Sequence, residues 1–424
     1  MGKGARRRPA VGAAIVTVGD ELLAGITLDT NAHWLATRLT GLGFTVRSVG
    51  TVADEPAAIV EAVAAAARRA KVVLVTGGLG PTRDDRTFEA LAKLTGSPLT
   101  TRADVAEALR RRFASRGVPM PAANLRQARL PRSADVIPNP WGTAPAIRMR
   151  TGGSLVFALP GVPGEMRSLF EDAIRPQLES RFRELAPRIL ERLRVVALAE
   201  AEIASRLAPV SVPRGVRVSY LPSGAEVDLR LSGAAVDRTS LGRYARAVIR
   251  RLVPHIYERG NRSLAEVVIE ALRERGESLA LAESCTGGLL GGRLTAVAGS
   301  SDVLWGGWVT YANDAKIQEV GVPARSLAAH GAVSVEVAVA MADGARRAAS
   351  TSHGIGITGI AGPGGGTPTK PVGTVVIAWT RRGAPTLHRV FRFDGNRDAV
   401  REQAVSLALD GLRRAVLGLP ELEA

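Results

Sequence analysis

The sequence predicts an α/β protein in which a small α+β domain joins two separate, doubly wound α/β domains. In the first 180 residues, apolar strand-like runs alternate with helix-like patterns, and the same alternation restarts near residue 259. Between these regions the pattern changes to short strands with a Pro222-Ser223-Gly224 turn. Alternating strands and helices favour a parallel sheet with helices on both faces. We therefore place the domains at residues 1–180, 181–258 and 259–424.

Length and composition are those of a globular protein. At about 150 residues per domain, a chain of 424 residues corresponds to roughly three domains. No apolar run approaches the length of about 20 residues that a membrane-spanning helix needs. The basic segment at residues 1–9 has no apolar signal core behind it, and Cys285 is the only cysteine. We therefore expect a cytoplasmic protein with no membrane association and no intrachain disulfide.

The net charge of +16 raises the question of nucleic-acid binding. Only five of the 56 basic residues are lysines, and the arginines are spread through every segment without interleaved aromatic residues. This distribution indicates a composition bias, so direct contact with nucleic acid is not expected. A lysine retained in such a chain is of interest, because a buried lysine can lose its proton and an arginine cannot.

Hydrophobic periodicity predicts the elements of the first domain. Strands are predicted at residues 13–18, 44–49, 72–76, 146–150 and 154–159, and helices at residues 31–40, 57–69, 103–129 and after Pro163. Asp20 follows the first strand, and a glycine-rich loop at residues 77–87 follows the third. Ligand sites form at the carboxyl ends of parallel strands, so these two loops are expected to lie together.

The glycine-rich loop has the composition of an anion site. Its glycines allow backbone N–H groups to approach a phosphate, and the adjacent carboxylates of Asp84 and Asp85 suit a divalent cation. The alternative is an ordinary turn that only reverses the chain.

The middle domain is predicted to contain no catalytic site. Its elements are expected as strands at residues 195–198, 216–220 and 226–231 and helices at residues 202–207 and 238–253. Tyr220 and His255 are its candidate recognition groups, but an aromatic residue on a strand and a single histidine are more often packing residues.

The last domain restarts the alternation and carries a candidate nucleophile. Helices are predicted at residues 264–275, 335–349 and 397–417, a loop and helix at residues 283–297, and strands at residues 278–282, 304–311, 354–358, 374–380 and 387–393. Ser284 follows a strand and opens a helix, where free N–H groups stabilise an oxyanion. Cys285 competes with Ser284, but it needs a thiolate and a base, and we interpret His330 and His353 as caps or surface residues. A serine can instead use a lysine that desolvation keeps neutral.

Lys316 is the candidate base. It lies five residues after Tyr311, which is predicted at a strand end, and one turn into a helix. A third loop, at residues 358–366, also ends a strand and offers backbone donors. From spacing alone, a solvated lysine and a loop that only turns the chain remain alternatives.

Four segments of the first domain together resemble the CinA family, whose N-terminal part is similar to the molybdopterin-binding (MoaB/MogA-like) domain. They are GDELLAGITLDTN (19–31), GGLGPTRDDRT (77–87), NPWGTAP (139–145) and LPGVPGEM (159–166). The resemblance implies a nucleotide or pterin pocket and a metal-dependent ADP-ribose pyrophosphatase activity. It places a divalent metal on Asp84 and Asp85, and it assigns the nucleotide site to Asp20, Gly78, Gly80 and Thr82.

Segments of the last domain resemble the CinA C-terminal domain, the nicotinamide mononucleotide amidohydrolase family. They are AESCTGG (282–288), AGSS (298–301), VTYANDAK (309–316), GAVS (331–334) and TGIAGPGGGTPTKPVGTV (358–375). The resemblance implies that Ser284 is the nucleophile, Lys316 the general base and Tyr311 the group that positions or relays the proton. The implied substrate-binding residues are Thr286, Gly287, Gly288, Thr358, Gly359, Ala361 and Gly362.

The implied reaction converts nicotinamide mononucleotide and water to nicotinic acid mononucleotide and ammonia through an acyl-enzyme, without a cofactor. Two alternatives stay open. One makes metal-dependent hydrolysis of ADP-ribose in the first domain the main activity, and the other is an interaction role in DNA uptake and repair, as the family name suggests. The expected partners are a pyridine nucleotide substrate and, for the first domain, ADP-ribose. The expected assembly is a homodimer.

Overall fold

The computed structural model describes residues 11–234 and 238–422. These residues divide into two compact units, one reaching to Ile189 and the other starting at Leu190, with Ala234 grouped with the first. The predicted basic tail at residues 1–9 lies outside the described residues. Within the described ranges, no helix is both long and apolar enough to cross a bilayer.

The first unit is built on a mixed sheet. Its strands are β1 (Gly12–Val18), β2 (Thr45–Val52), β3 (Val72–Thr76), β4 (Leu99–Thr101), β5 (Arg129–Pro131), β6 (Asp135–Ile137), β7 (Ala146–Thr151) and β8 (Ser154–Leu159). The main sheet has the order β2-β1-β3-β8-β7-β6, and β4 pairs with β5 separately. Strands β2, β1, β3 and β8 are parallel, as predicted, whereas β7 and β6 add an antiparallel edge that the pattern did not predict.

Helices cover both faces of this sheet. They are α1 (Asp20–Leu23), α2 (Thr30–Gly41), α3 (Pro56–Arg69), α4 (Thr87–Thr95), α5 (Ala103–Ser115), α6 (Pro163–Leu169) and α7 (Arg175–Arg181). The side chains of the strands alternate between the two faces, so that Val73 packs with α3, α4 and α5 while Leu74 packs with α2, α6 and α7. This arrangement is a doubly wound layer of the kind predicted.

The predicted helix at residues 103–129 is wrong in its second half. Helix α5 ends at Ser115, residues 122–128 form a 3₁₀ helix, and β5 follows. Gly117 adopts a left-handed φ of 68°, and Pro119 and Pro121 cannot continue a helix. Helix α4 was not predicted, because it begins inside the glycine-rich segment.

The second unit contains two sheets. The smaller one consists of β9 (Arg188–Val196), β10 (Arg217–Ser223), β11 (Glu226–Ala234) and β12 (Ile256–Arg259) in the order β10-β11-β9-β12, with α8 (Glu200–Leu207) and α9 (Arg238–Leu252). His255 is buried against the backbone of Val196, which agrees with the packing role predicted for it.

The larger sheet carries the last domain. Its strands are β13 (Leu279–Glu283), β14 (Leu304–Val309), β15 (His353–Gly359), β16 (Thr374–Arg381) and β17 (Leu387–Arg392) in the order β14-β13-β15-β16-β17. The helices are α10 (Leu264–Glu274), α11 (Leu289–Thr295), α12 (Asn313–Val320), α13 (Ala324–His330), α14 (Val335–Ala348) and α15 (Arg397–Leu417). The first three strands are parallel and the last two antiparallel. The fold class predicted from the sequence, α/β with doubly wound layers, is confirmed, although the sheets are mixed rather than wholly parallel.

Strand β13 lies inside this layer, between β14 and β15. Leu279 and Leu281 face the core formed with α10, α11 and α15, whereas Ala280 and Ala282 face the core formed with α12 and α14. A strand buried on both faces needs a continuous apolar run. The run ends at Glu283, immediately before Ser284.

The prediction that His353 is a cap or surface residue is wrong. Its side chain is buried at the start of β15, and its Nε2 lies 2.8 Å from Oε2 of Glu277. Burial lowers the pKa of His353 although Glu277 acts in the opposite direction. His330 is exposed at the end of α13, as predicted.

Candidate active site

Three loops of the second unit meet at the carboxyl ends of adjacent parallel strands. The backbone N–H of Ser284, after β13, donates to the carbonyl of Ile357 at 2.9 Å, and the N–H of Thr310, after β14, donates to the carbonyl of Glu283 at 2.8 Å. The loops after β13, β14 and β15 therefore lie together, as the strand order requires.

Lys316 and Ser284 form the central contact of this site. Nζ of Lys316, in the first half of α12, lies 3.1 Å from Oγ of Ser284 and donates to the carbonyls of Thr310 and Tyr311 at 2.8 and 3.2 Å. The lysine is only 1% exposed, and burial lowers its pKa. A neutral amine beside a serine hydroxyl is the arrangement of a general base and its nucleophile.

Cys285 has the properties of a buried structural thiol. Its side chain lies in the hydrophobic core, and burial, reinforced by the charge of Glu283, raises its pKa to about 12. Because the thiolate is the reactive form, this cysteine is poorly suited to nucleophilic attack at neutral pH. The geometry favours Ser284 in the competition between the two residues.

Tyr311 contacts Lys316 through its backbone. The side chain is 61% exposed, and its hydroxyl accepts a hydrogen bond of 2.9 Å from Nη2 of Arg397. Among the hydrogen bonds of the described residues, none joins this hydroxyl to Ser284 or Lys316. Positioning of the lysine thus comes from the Tyr311 carbonyl, and proton relay through the hydroxyl stays a prediction.

The turn after Ser284 differs from the predicted helix start. Gly287 and Gly288 have left-handed φ values of 60° and 90°, and α11 begins only at Leu289. The carboxylate of Glu283 accepts hydrogen bonds from the N–H groups of Gly288, Leu290 and Gly291 at 3.1, 3.1 and 2.8 Å. The prediction that the helix start itself supplies the oxyanion donors is therefore wrong.

Thr286 is one of the predicted substrate-binding residues, and its side-chain hydroxyl can still form a hydrogen bond. It is completely buried, and its Oγ1 has no hydrogen-bond partner among the described residues. Its carbonyl accepts a hydrogen bond of 2.8 Å from Nη2 of Arg401.

The loop after β15 is shaped by its own packing. Thr358 is buried and its hydroxyl donates to the carbonyl of Ala332 at 2.8 Å, while Ala361 belongs to the hydrophobic core. A Cβ added to Gly359 would lie 2.8 Å from the carbonyl oxygen of Thr374. Substrate binding by these predicted residues would thus use backbone atoms rather than side chains.

The first unit has a cleft of about 620 Å³ at the carboxyl ends of β1, β3 and β8. It brings together all the residues predicted for the nucleotide and metal sites, namely Asp20, Gly78, Gly80, Thr82, Asp84 and Asp85. Asp85 also stabilises the loop itself, because its Oδ2 accepts hydrogen bonds from the N–H and hydroxyl of Thr82 at 2.8 and 2.6 Å.

The cleft is acidic, and sequence reasoning missed one of its carboxylates. Oδ2 of Asp54 accepts a hydrogen bond from the N–H of Asp20 at 3.0 Å. Burial raises the pKa of Asp54, and the charges of Asp20, Glu21 and Asp85 add to this effect. In residues 11–234 and 238–422, no group of three or more His, Cys, Asp or Glu side chains is placed to hold a metal. Magnesium bound with a diphosphate needs only one or two carboxylates, so the roles of Asp84 and Asp85 stay predictions.

Comparison with known proteins decides the family. Two family models match the chain, the CinA C-terminal domain over residues 261–416 and a probable molybdopterin binding domain over residues 14–180. A CinA-like protein from Gemmatimonas aurantiaca is 44% identical over 411 residues, which cover 95% of each chain. The chain belongs to the CinA family. The resemblance expected from the sequence motifs is confirmed.

Two other CinA proteins are similar to this chain. A CinA-like protein from Citrifermentans bemidjiense is 43% identical, with 95% of this chain and 97% of the relative covered. A crystal structure of the protein CinA with unknown function from Thermoplasma acidophilum is 36% identical. It covers 39% of this chain and 98% of its own, with a TM-score of 0.37.

Three residues of this CinA site were not singled out by sequence reasoning. Glu283 precedes the nucleophile, and Arg397 and Arg401 lie in the first two turns of α15. Nη1 of Arg397 donates to the carbonyl of Gly362 at 2.8 Å. In a chain whose arginines are spread through every segment, no local signal distinguished Arg397 or Arg401 from the others.

Proposed function

We propose that the last domain of this CinA protein hydrolyses the carboxamide of nicotinamide mononucleotide by a serine–lysine mechanism. The observation that carries the proposal is the 3.1 Å hydrogen-bond distance between Nζ of buried Lys316 and Oγ of Ser284. The lowered pKa of Lys316 and the raised pKa of Cys285 support the assignment of base and nucleophile. The choice of substrate rests on the family resemblance.

The reaction begins when Lys316 takes the hydroxyl proton of Ser284 as Oγ attacks the carboxamide carbon. The tetrahedral oxyanion forms beside the turn after Ser284, where the N–H groups of Cys285 and Thr286 are the candidate donors because the amides of α11 are bound to Glu283. Lys316 then gives this proton to the amide nitrogen, the C–N bond breaks, ammonia departs, and an ester remains on Ser284. Water, activated by the same amine, hydrolyses the ester and releases the carboxylate product.

Two arginines support a substrate that bears a phosphate. Arg397 bonds the loop that contains Gly362, and Arg401 bonds the carbonyl of Thr286, so both guanidinium groups border the loops of the site. Guanidinium groups are suited to phosphate recognition. We expect free nicotinamide to be a much poorer substrate, because the phosphate and ribose supply the binding energy that positions the carbonyl.

The proposal is tested by ammonia release from nicotinamide mononucleotide in the presence of EDTA. Activity is expected in the wild type and in Cys285→Ala, and it should be lost in Ser284→Ala and Lys316→Ala. Full activity in Ser284→Ala would assign the reaction to another nucleophile. No release by the wild type would refute the amidase proposal.

A second candidate activity, metal-dependent hydrolysis of ADP-ribose, is favoured by the acidic cleft of the first unit. The cleft volume of about 620 Å³ suits a nucleotide. Its carboxylates would repel a diphosphate unless a cation neutralised the charge. Hydrolysis is therefore expected only with added magnesium or cobalt, and Asp84→Ala should abolish it. Ser284→Ala should retain this activity and Asp84→Ala should retain ammonia release, so the two activities are separable.

A further inference from the structure

Glu283, which ends β13, holds a buried carboxylate next to the nucleophile. Its side chain is 3% exposed, and its two oxygens accept three backbone hydrogen bonds from the start of α11. No arginine, lysine or histidine of the described residues forms an ion pair with it. A buried charge without such partners is costly, and here the helix amides and the helix dipole provide the compensation.

The backbone of Glu283 connects to the general base. Its carbonyl accepts a hydrogen bond of 2.8 Å from the N–H of Thr310, and the carbonyl of Thr310 accepts one of 2.8 Å from Nζ of Lys316. The side chain holds the turn that carries Ser284, while the main chain holds the segment that carries the lysine contact. One residue thus links the supports of both groups.

We infer that Glu283 is a positioning residue that holds Ser284 within reach of Lys316. The kinetic test of this inference rests on the proposed amidase function. A test on Cys285 does not, because the state of a thiol is measured without any substrate.

The carboxylate also acts on Cys285, which lies in the turn that Glu283 holds. Burial is the main cause that raises the pKa of this thiol, and the negative charge of Glu283 adds to it. A thiolate beside Ser284 would retain a proton on Lys316 by attraction, which would remove the base. The carboxylate therefore favours the serine–lysine pair both by holding the turn that carries Ser284 and by opposing formation of the Cys285 thiolate.

Glu283→Gln tests the positioning role with little change in shape. The amide cannot accept from all three N–H groups, so the turn should shift. A displacement of about 1 Å can cost about 100-fold in rate, and we expect kcat to fall by about 10- to 100-fold with KM within about threefold. Glu277→Gln is the matched control, because Glu277 lies just before the other end of the same strand and pairs with His353 and Arg381. Its kcat should equal that of the wild type.

The thiol is measured by its ultraviolet absorbance as the pH rises. Because Cys285 is the only cysteine, the difference from the same variant with Cys285→Ala isolates its titration. In Glu283→Gln the thiolate is expected at lower pH than in the wild type, and at a fixed pH alkylation by iodoacetamide should be about tenfold faster. Glu283→Asp keeps the charge but not the reach, so its thiol should titrate as in the wild type while kcat stays lowered.

Either of two results would overturn the inference: wild-type kcat in both Glu283→Gln and Glu283→Asp, or an unchanged Cys285 titration in Glu283→Gln. If the wild type releases no ammonia, the amidase proposal fails, and the titration of Cys285 still decides the role of Glu283. If Glu283→Gln does not fold, Glu283→Asp decides through its kcat.

Discussion

The hydroxyl of Tyr311 accepts a 2.9 Å hydrogen bond from Nη2 of Arg397, while Nη1 of the same guanidinium donates to the carbonyl of Gly362 at 2.8 Å. A single side chain at the start of α15 thus connects the loop after β14 with the loop after β15. Both loops border the pair formed by Ser284 and Lys316. The relationship separates two roles for Tyr311, one through its hydroxyl and one through its carbonyl.

Tyr311→Phe is expected to keep most of the activity. The variant loses one exposed hydrogen bond, worth about 1 kcal/mol, but keeps the carbonyl that accepts from Lys316. We expect kcat within about threefold of the wild type, whereas Arg397→Ala, which loses both bonds and a charge, should raise KM by about tenfold or more. Steady-state kinetics with nicotinamide mononucleotide would check both values. A 100-fold loss of kcat in Tyr311→Phe would instead indicate proton relay through the hydroxyl, about 2.7 kcal/mol of transition-state stabilisation.

The pH dependence of kcat should follow Lys316. Burial lowers its pKa, and only the neutral amine can accept the proton of Ser284. The rate is therefore expected to be low in acid, to rise as the pH passes through the lowered pKa, and to reach a plateau below the ordinary lysine range. Lys316→Arg should be inactive at every pH, since a guanidinium keeps its proton. A rate that falls with rising pH, measured where circular dichroism shows an intact fold, would contradict this assignment.

Strands and long helices were predicted well where burial dictates composition. Strand β3 and helix α15 have the predicted limits, because an apolar run bounded by polar residues marks a strand covered on both faces and a long helix starts at a capping asparagine, Asn396. The prediction was wrong for the second half of the helix at residues 103–129, because the apolar residues after Gly117 lie in a 3₁₀ helix and a short strand. Periodicity alone does not separate these elements over such short spans.

The catalytic residues of the candidate site could be predicted from the sequence, but the contacts that hold them in place could not. Ser284 and Lys316 follow adjacent strands, so topology brings them together once the sheet is assumed. The burial of Lys316 depends on the packing of α12 against α14, which no local pattern records. Glu283 resembled an ordinary polar residue at a strand end, and its role requires that α11 begin at Leu289 rather than near Ser284.

Asp410 should be a major contributor to the stability of the second unit. The carboxylate is completely buried and accepts hydrogen bonds from Nε of Arg413 at 2.7 Å and Nε of Arg414 at 2.8 Å. Asp410→Asn leaves two buried guanidinium groups without a counter-charge, which should lower the free energy of unfolding by about 3–5 kcal/mol. Urea denaturation would measure the loss. Asp302→Asn, which breaks the exposed pair with Arg273, is the control and should cost about 1 kcal/mol or less. Equal effects of the two changes would show that the buried network contributes little.

Gly77→Ala should disable the cleft of the first unit while sparing the second. Gly77 has a φ of 109°, and an added Cβ would overlap the carbonyl oxygen of Val18 at the end of β1. The strained backbone costs about 1–3 kcal/mol. To relieve the overlap, the backbone at Gly77 must move, and Gly77 both lines the cleft and accepts a hydrogen bond from the hydroxyl of Thr87 through its carbonyl. Calorimetric titration with ADP-ribose and magnesium should therefore show binding weakened by about tenfold or more, a cost of about 1.4 kcal/mol.

Gly25→Ala is the matched control, because its φ of 70° imposes strain but no atom lies within 4 Å of the added Cβ. Ammonia release should stay at the wild-type level in both variants, since Ser284 and Lys316 lie in the other unit. If Gly77→Ala bound ADP-ribose as tightly as the wild type, the loop after β3 would not form the nucleotide site.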